Sequence, residues 1–116
     1  MSGSVTRPYS IADHEVVSMM EDLRVQILTL AEGEKVPWHY HSEVTDIFIG
    51  LEGTTVVETR VPRARYELRA GEHCVVPVRT AHEVTGKAGE PCRFTLVQGV
   101  GTHDFVPVGK QAKTEP

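Results

Sequence analysis

The chain has 116 residues, enough for one domain around one core and too few for two of ordinary size. Apolar residues make up 40% and charged residues 24%, a folded globule's composition rather than a disordered one. The formal charge of −4 comes with arginines interleaved with glutamates, so no basic stripe is offered to nucleic acid.

From the N-terminus, Met1 to Arg7 lacks the apolar run of a secretory signal, and no stretch approaches the roughly 20 apolar residues of a membrane span. The expectation is a cytoplasmic protein without a membrane or nucleic-acid partner. Residues 1 to 8 have little to bury and are expected to be loosely attached. A helical pattern is conceivable only near Ile11 to Met20. From there the signals are those of strands. Leu23 to Leu30 places Leu23, Val25 and Ile27 on one face, a period-2 pattern that Glu32-Gly33-Glu34 breaks. Asp46 to Leu51 and Thr54 to Val61 follow, and the junction between them at Gly53 resembles a hairpin turn. Pro62 closes the second of these, because proline cannot donate to a sheet ladder. Tyr66 to Leu68, His73 to Val76, His82 to Thr85 and Phe94 to Val97 are separated by Ala70-Gly71, Pro77, Gly86 to Pro91 and Gly99. Many short strands at such intervals predict an all-β sandwich or barrel spanning about residues 23–106, after an N-terminal segment of residues 1–22 and before a polar tail over 107–116. Cys74 and Cys92 make no disulfide framework. They suit a reducing compartment, as small buried thiols.

Six histidines occur, at 14, 39, 41, 73, 82 and 103. On a strand, His39 and His41 share a face, about 6–7 Å apart. Two neutral imidazoles so placed can converge on one ion through bonds of about 2.0–2.1 Å, with His82 arriving from another strand. An isolated His-x-His is a weak motif, often a surface pair. Its surroundings give it weight. Gly33 is followed by five residues, His39-Tyr40-His41, four residues, Asp46, six residues and Gly53. Further on, Gly71 is followed by five residues, Pro77, Val78, Arg79, two residues, His82, three residues and Gly86.

This double pattern resembles the two motifs of the cupin superfamily, over nearly half the chain. The resemblance implies a double-stranded β-helix (jelly-roll) barrel holding one divalent ion through His39, His41 and His82. Asp46 stands where the family has glutamate, one methylene longer, so its reach to the metal is direct or through water; Glu43 fits the spacing less well. Arg79 replaces the family's turn glycine, which puts a positive-φ turn there in question, and Gly86 replaces an asparagine. Nitrogen and oxygen ligands without thiolate admit iron, manganese, nickel, cobalt or zinc.

By the same resemblance the chain would be a metal-dependent enzyme of dioxygenase, isomerase, lyase or decarboxylase type, acting on a small polar or carboxylate-bearing molecule. The alternatives are a non-catalytic binding or sensing module, and a structural barrel, against which the three histidines argue. A homodimer is implied too, with Tyr9 to Met20 as its pairing strand. Arg79 and Phe48 are the candidate substrate contacts, the first as a carboxylate fork. Trp38 and Tyr40 should face away from the histidines. Arg60, Arg63, Arg65 and Arg69 read as a solvated face among glutamates. His14, His73 and His103 match no motif position.

Overall fold

The computed structural model describes residues 9–109. Among these, ten strands run in order: β1 Asp13–Met19, β2 Leu23–Leu30, β3 Lys35–Tyr40, β4 Thr45–Glu52, β5 Thr55–Arg60, β6 Arg63–Leu68, β7 His73–Val76, β8 His82–Gly86, β9 Cys92–Gly99 and β10 Val106–Pro107. They form two five-stranded antiparallel sheets, ordered β1-β2-β9-β4-β7 and β10-β3-β8-β5-β6. The architecture is the all-β double-stranded β-helix expected. The looseness expected of residues 1–8, and most of the polar tail, lie outside the described residues.

The strands form where apolar residues alternate with polar ones. In β2, Gln26, Leu28 and Leu30 are buried and their neighbours less so; in β9, Cys92, Phe94, Leu96 and Gln98 are buried. Both sheets contribute to one core, with Leu28, Leu30, Phe48, Val76, Phe94 and Leu96 from the first sheet and Val36, Val57, Leu68 and Val84 from the second. Phe94 and Phe48 meet at 5.7 Å between ring centres.

Three local expectations are corrected. Ile11 to Met20 is not helical: it contains β1, an edge strand that pairs with β2 of its own chain, Asp13 opposite Thr29 and Met19 opposite Arg24. An edge strand with one covered face lacks the clean alternation of a central one, so its apolar residues mimic a short helical stripe. The junction at Gly53 is not a hairpin, because β4 and β5 belong to different sheets. Gly53, at φ 67°, carries the chain across from one to the other, and a Cβ there would lie 2.5 Å from Pro91 O. The hairpin is instead β5–β6, turning through Val61-Pro62 with Arg60 opposite Arg63. Arg79, finally, keeps the positive-φ turn despite carrying a side chain, at φ 60°. Gly86 has its own reason to be glycine, since a Cβ there would sit 1.6 Å from Glu90 O.

Candidate metal centre

His39 lies on β3, His82 directly opposite it on β8, and Asp46 on β4 of the other sheet; His41 follows β3 by one residue. A register shift between Val36 and His39 lets these two, three apart, both face inward, which strict alternation forbids. Trp38 turns the opposite way, as its parity predicts, and receives the Arg60 guanidinium 4.3 Å from its ring centre. The four candidate ligands are all buried, Asp46 and His82 to 1% exposure, and their ligand atoms lie within 4.8 Å of one another.

Hydrogen bonds fix which nitrogen each ring presents. His39 Nδ1 donates to Pro37 O at 2.7 Å, His82 Nδ1 to Thr80 O at 2.8 Å, and His41 Nδ1 to Asp104 O at 2.5 Å. A carbonyl can only accept, so each Nδ1 carries a proton and each neutral ring presents an Nε2 lone pair. Asp46 Oδ2 lies 3.0 Å from His41 Nε2 and 3.1 Å from His82 Nε2. Without a cation, both contacts need an imidazolium, two buried like charges with ring centres 5.6 Å apart. One divalent ion satisfies the carboxylate and the lone pairs together. Two donor pairs, at 3.0 and 3.1 Å, are as close as neighbouring ligands of one ion with bonds of about 2.1 Å, and all four lie within 4.8 Å of one another. The residues fit a metal.

Electrostatics leave His39 and Asp46 ready to ligate, while Asp46 favours a proton on His41 that a cation would have to displace. Burial, aided by the neighbouring His82 and His41, pushes His39 down to about 3, so it is neutral near pH 7. Burial also opposes charge on His41, but hydrogen bonding to Asp46 and its negative charge outweigh this and raise it. Asp46 is subject to the same burial, yet hydrogen bonds and charge from His41 and His82 hold its carboxyl well below the usual carboxylate range.

Around the four lie residues that motif spacing did not single out. Gln98 of β9, 4% exposed, stands opposite Asp46 and donates to its Oδ1 at 3.1 Å; the same amide nitrogen is 3.3 Å from His41 Nε2. Its oxygen accepts from Gln26 Nε2 at 3.2 Å, and Gln26 Oε1 contacts His14 Nε2. A polar chain therefore runs from Asp46 across β9 and β2 to β1. Each glutamine shares the inward parity of apolar residues on its strand, Leu28 and Leu30 with Gln26, Phe94 and Leu96 with Gln98; on β2 this is the face opposite to Leu23, Val25 and Ile27. Asp104 accepts from the Ser42 backbone N–H at 2.9 Å and hydroxyl at 2.5 Å, fastening the segment whose carbonyl holds His41. Phe105 stacks on His39 at 4.2 Å and Tyr9 packs on Phe105 at 5.6 Å. His103 is 5.2 Å from His41, and burial, then the Arg24 charge, push it down to about 4. No local pattern marks these C-terminal residues. Of the two candidate substrate contacts, Phe48 is core, edge-on to His82 at 5.9 Å. Arg79 has an exposed side chain, while its backbone N–H donates to His41 O at 2.8 Å and ties the two motif turns together.

The family model of the cupin domain matches residues 26–98, and the chain belongs to that family. No curated protein matches the sequence. Among solved structures, a double-stranded β-helix protein from Klebsiella pneumoniae aligns at TM-score 0.70 and 20% identity, covering 88% of each chain. A cupin-2 domain protein from Shewanella frigidimarina aligns at 0.63 and 23%, over 78% of this chain and 82% of its own. KdgF from a Halomonas species aligns at 0.65 and 19%, over 81% and 86%.

Proposed function

We propose that this cupin is a metal-dependent enzyme of dioxygenase, isomerase or lyase type, acting on a small polar or carboxylate-bearing molecule. The observation that carries the reading is the set of three Nδ1–carbonyl bonds, which aim three Nε2 lone pairs at one carboxylate-bearing point. His39, His41 and His82 would hold the ion, with Asp46 as fourth ligand, directly or through water. Iron, manganese, nickel, cobalt or zinc suits this donor set, and each would supply Lewis acidity toward a substrate oxygen.

The chain's own residues do the rest. Gln98 fixes the Asp46 carboxylate so that Oδ2 faces the histidines. Phe105 and Tyr9 cover His39 and keep water from that side. His103, neutral near pH 7, stands beside His41 and can offer a ring nitrogen as hydrogen-bond donor or acceptor to a bound molecule. Arg79 remains a contact for a ligand approaching over the motif turns, and Phe48 acts from below, through the packing of His82.

The chain acts, in this proposal, as a cytoplasmic homodimer with no nucleic-acid or membrane partner. No helix of the described residues is long and apolar enough to cross a membrane, and the free thiols Cys74 and Cys92 are buried, as suits a reducing compartment. Among the described residues the outer edge of β1 has no strand partner, and Val16, Val17 and Met19 of β1 and the following Met20 are exposed, a surface for a second copy.

Elemental analysis of protein purified without a tag or chelator tests the centre. About one ion per chain is expected, lost in His41→Ala together with its contribution to the melting temperature. Substoichiometric metal indifferent to His41 overturns the proposal. With the ion present, turnover of small carboxylates, followed by oxygen uptake or product formation, supports the enzyme. Tight binding without turnover assigns the chain to the sensing modules instead.

A further inference from the structure

One cation on the inner face has no part in the metal cluster. Arg24 of β2 is the ladder partner of Gln98 on β9, and Gln98 is the partner of Asp46 on β4. Residues directly opposed in a sheet project from the same face. Gln98 and Asp46 both point into the barrel, so Arg24 does too, sharing parity with the buried Gln26, Leu28 and Leu30. The row starts at fully buried Asp46 and ends at half-buried Arg24, two strand spacings away, about 9–10 Å between backbones.

The Arg24 guanidinium is incompletely satisfied. Its Nε is buried and has no hydrogen-bond partner among the described residues. Leaving such a donor unpaired is costly, and native structures leave few of them. Burial lowers the basicity of Arg24, and Tyr9 alone among the described groups offsets it, so no described carboxylate compensates the charge. Its field also reaches His103, which packs on His41. Arg24 thus lies within electrostatic reach of Tyr9 and His103, on the side of the centre where His103 packs on His41. Arg79, the arginine that motif position suggests, is exposed on a turn instead.

We propose that Arg24 is the anchor for a carboxylate of a short organic acid whose other end carries an oxygen donor for the metal: a dicarboxylate, hydroxy acid or keto acid. The proposal rests on the metal-centre reading and names its substrate class. A guanidinium takes a carboxylate as a two-pronged fork, and the acid would supply both the missing hydrogen-bond acceptor and the missing negative charge. It would lie along the Asp46–Gln98–Arg24 row, with the Gln98 amide beneath it.

The test loads the whole chain with zinc, measures stoichiometry, and titrates it calorimetrically with malonate, succinate and glutarate, using the uncharged succinamide as control. At least one diacid binds, the diamide does not, and Arg24→Met weakens the diacid at least tenfold with zinc stoichiometry unchanged. Without acid, R24M melts no lower than the parent, because it removes a buried unpaired donor; stabilisation by the acid is what it loses. Equal diacid affinity in R24M, or no diacid binding to the parent, overturns the anchor. Should R24M not fold, R24Q is held to the same tenfold criterion. If the parent holds no zinc, the metal reading fails separately. The diacids are then titrated against the metal-free chain, where Arg24-dependent binding supports the anchor and its absence overturns it.

Discussion

The interior of the barrel has two ends with opposite chemistry, and the change occurs along the same strands. On β2 the inward row passes from Arg24 and Gln26 to Leu28 and Leu30; on β9, from Gln98 to Leu96, Phe94 and Cys92. On β4 it passes from Asp46 to Phe48, and on β8 from His82 to Val84. At the apolar end, cohesion is non-directional and spread over many contacts. At the polar end, named hydrogen bonds hold the buried groups; among the described residues two buried side-chain atoms lack a partner, Thr55 Oγ1 and Arg24 Nε, and the second, part of a charged group, motivates a ligand. One end holds the fold and the other holds the chemistry. A substitution should reveal which end it belongs to.

The largest effect is expected at the apolar end. Phe94, fully buried and packed on Phe48, leaves a cavity when replaced by alanine. Phe94→Ala should lower unfolding stability by about 3–5 kcal/mol in urea titration, with metal stoichiometry retained in the fraction that folds. At the polar end the pattern reverses. Gln98→Leu keeps the volume but removes the donor to Asp46 Oδ1 and the acceptor of Gln26 Nε2, so metal affinity by chelator competition should fall about 10–100-fold. The urea midpoint of the metal-free chain should shift less than in Phe94→Ala, by the cost of unpaired buried groups, about 1–3 kcal/mol. A large shift in that midpoint would make Gln98 a fold residue and blur the division.

The smallest effect tests the boundary. Cys74, opposite Phe48 and within reach of the Asp46 charge, is pushed up to about 11, first by burial and then by Asp46. At pH 8 roughly one part in a thousand is thiolate, so a disulfide reagent should modify Cys74 only after denaturant is added. Its folded value lies above the ordinary 9.0, so its contribution to stability is present below pH 9 and is lost as pH rises through about 11. Rapid modification of the native chain at pH 8 would put water where the structure has core.

Seven strands were legible because central strands of a barrel alternate and end at Gly or Pro. β1 was not, since an edge strand buries too little for its pattern to stand out; its residues are all exposed or half-buried. β3 was visible only as a condition on His39 and His41, because Pro37 interrupts it and the register shift after Val36 breaks the parity. The sheet crossing at Gly53 was hidden for a different reason: a turn's residues report its backbone, not which strand the next segment meets. Within the centre, the histidines and Asp46 were readable from spacing along the chain. Gln98, Asp104 and Phe105 come from 52 to 59 residues after Asp46, and only the closed barrel brings them there.

His39 and His82 belong to one sheet and Asp46 to the other. An ion held by all of them is a clasp across the two layers, set at the end of the barrel where apolar packing is thinnest. Occupancy should therefore change how the layers breathe. With the clasp fastened, backbone amides of β3 and β8 exchange with solvent only when the whole domain opens, and the edge strands β1 and β6, which supply no ligand, keep their local motion.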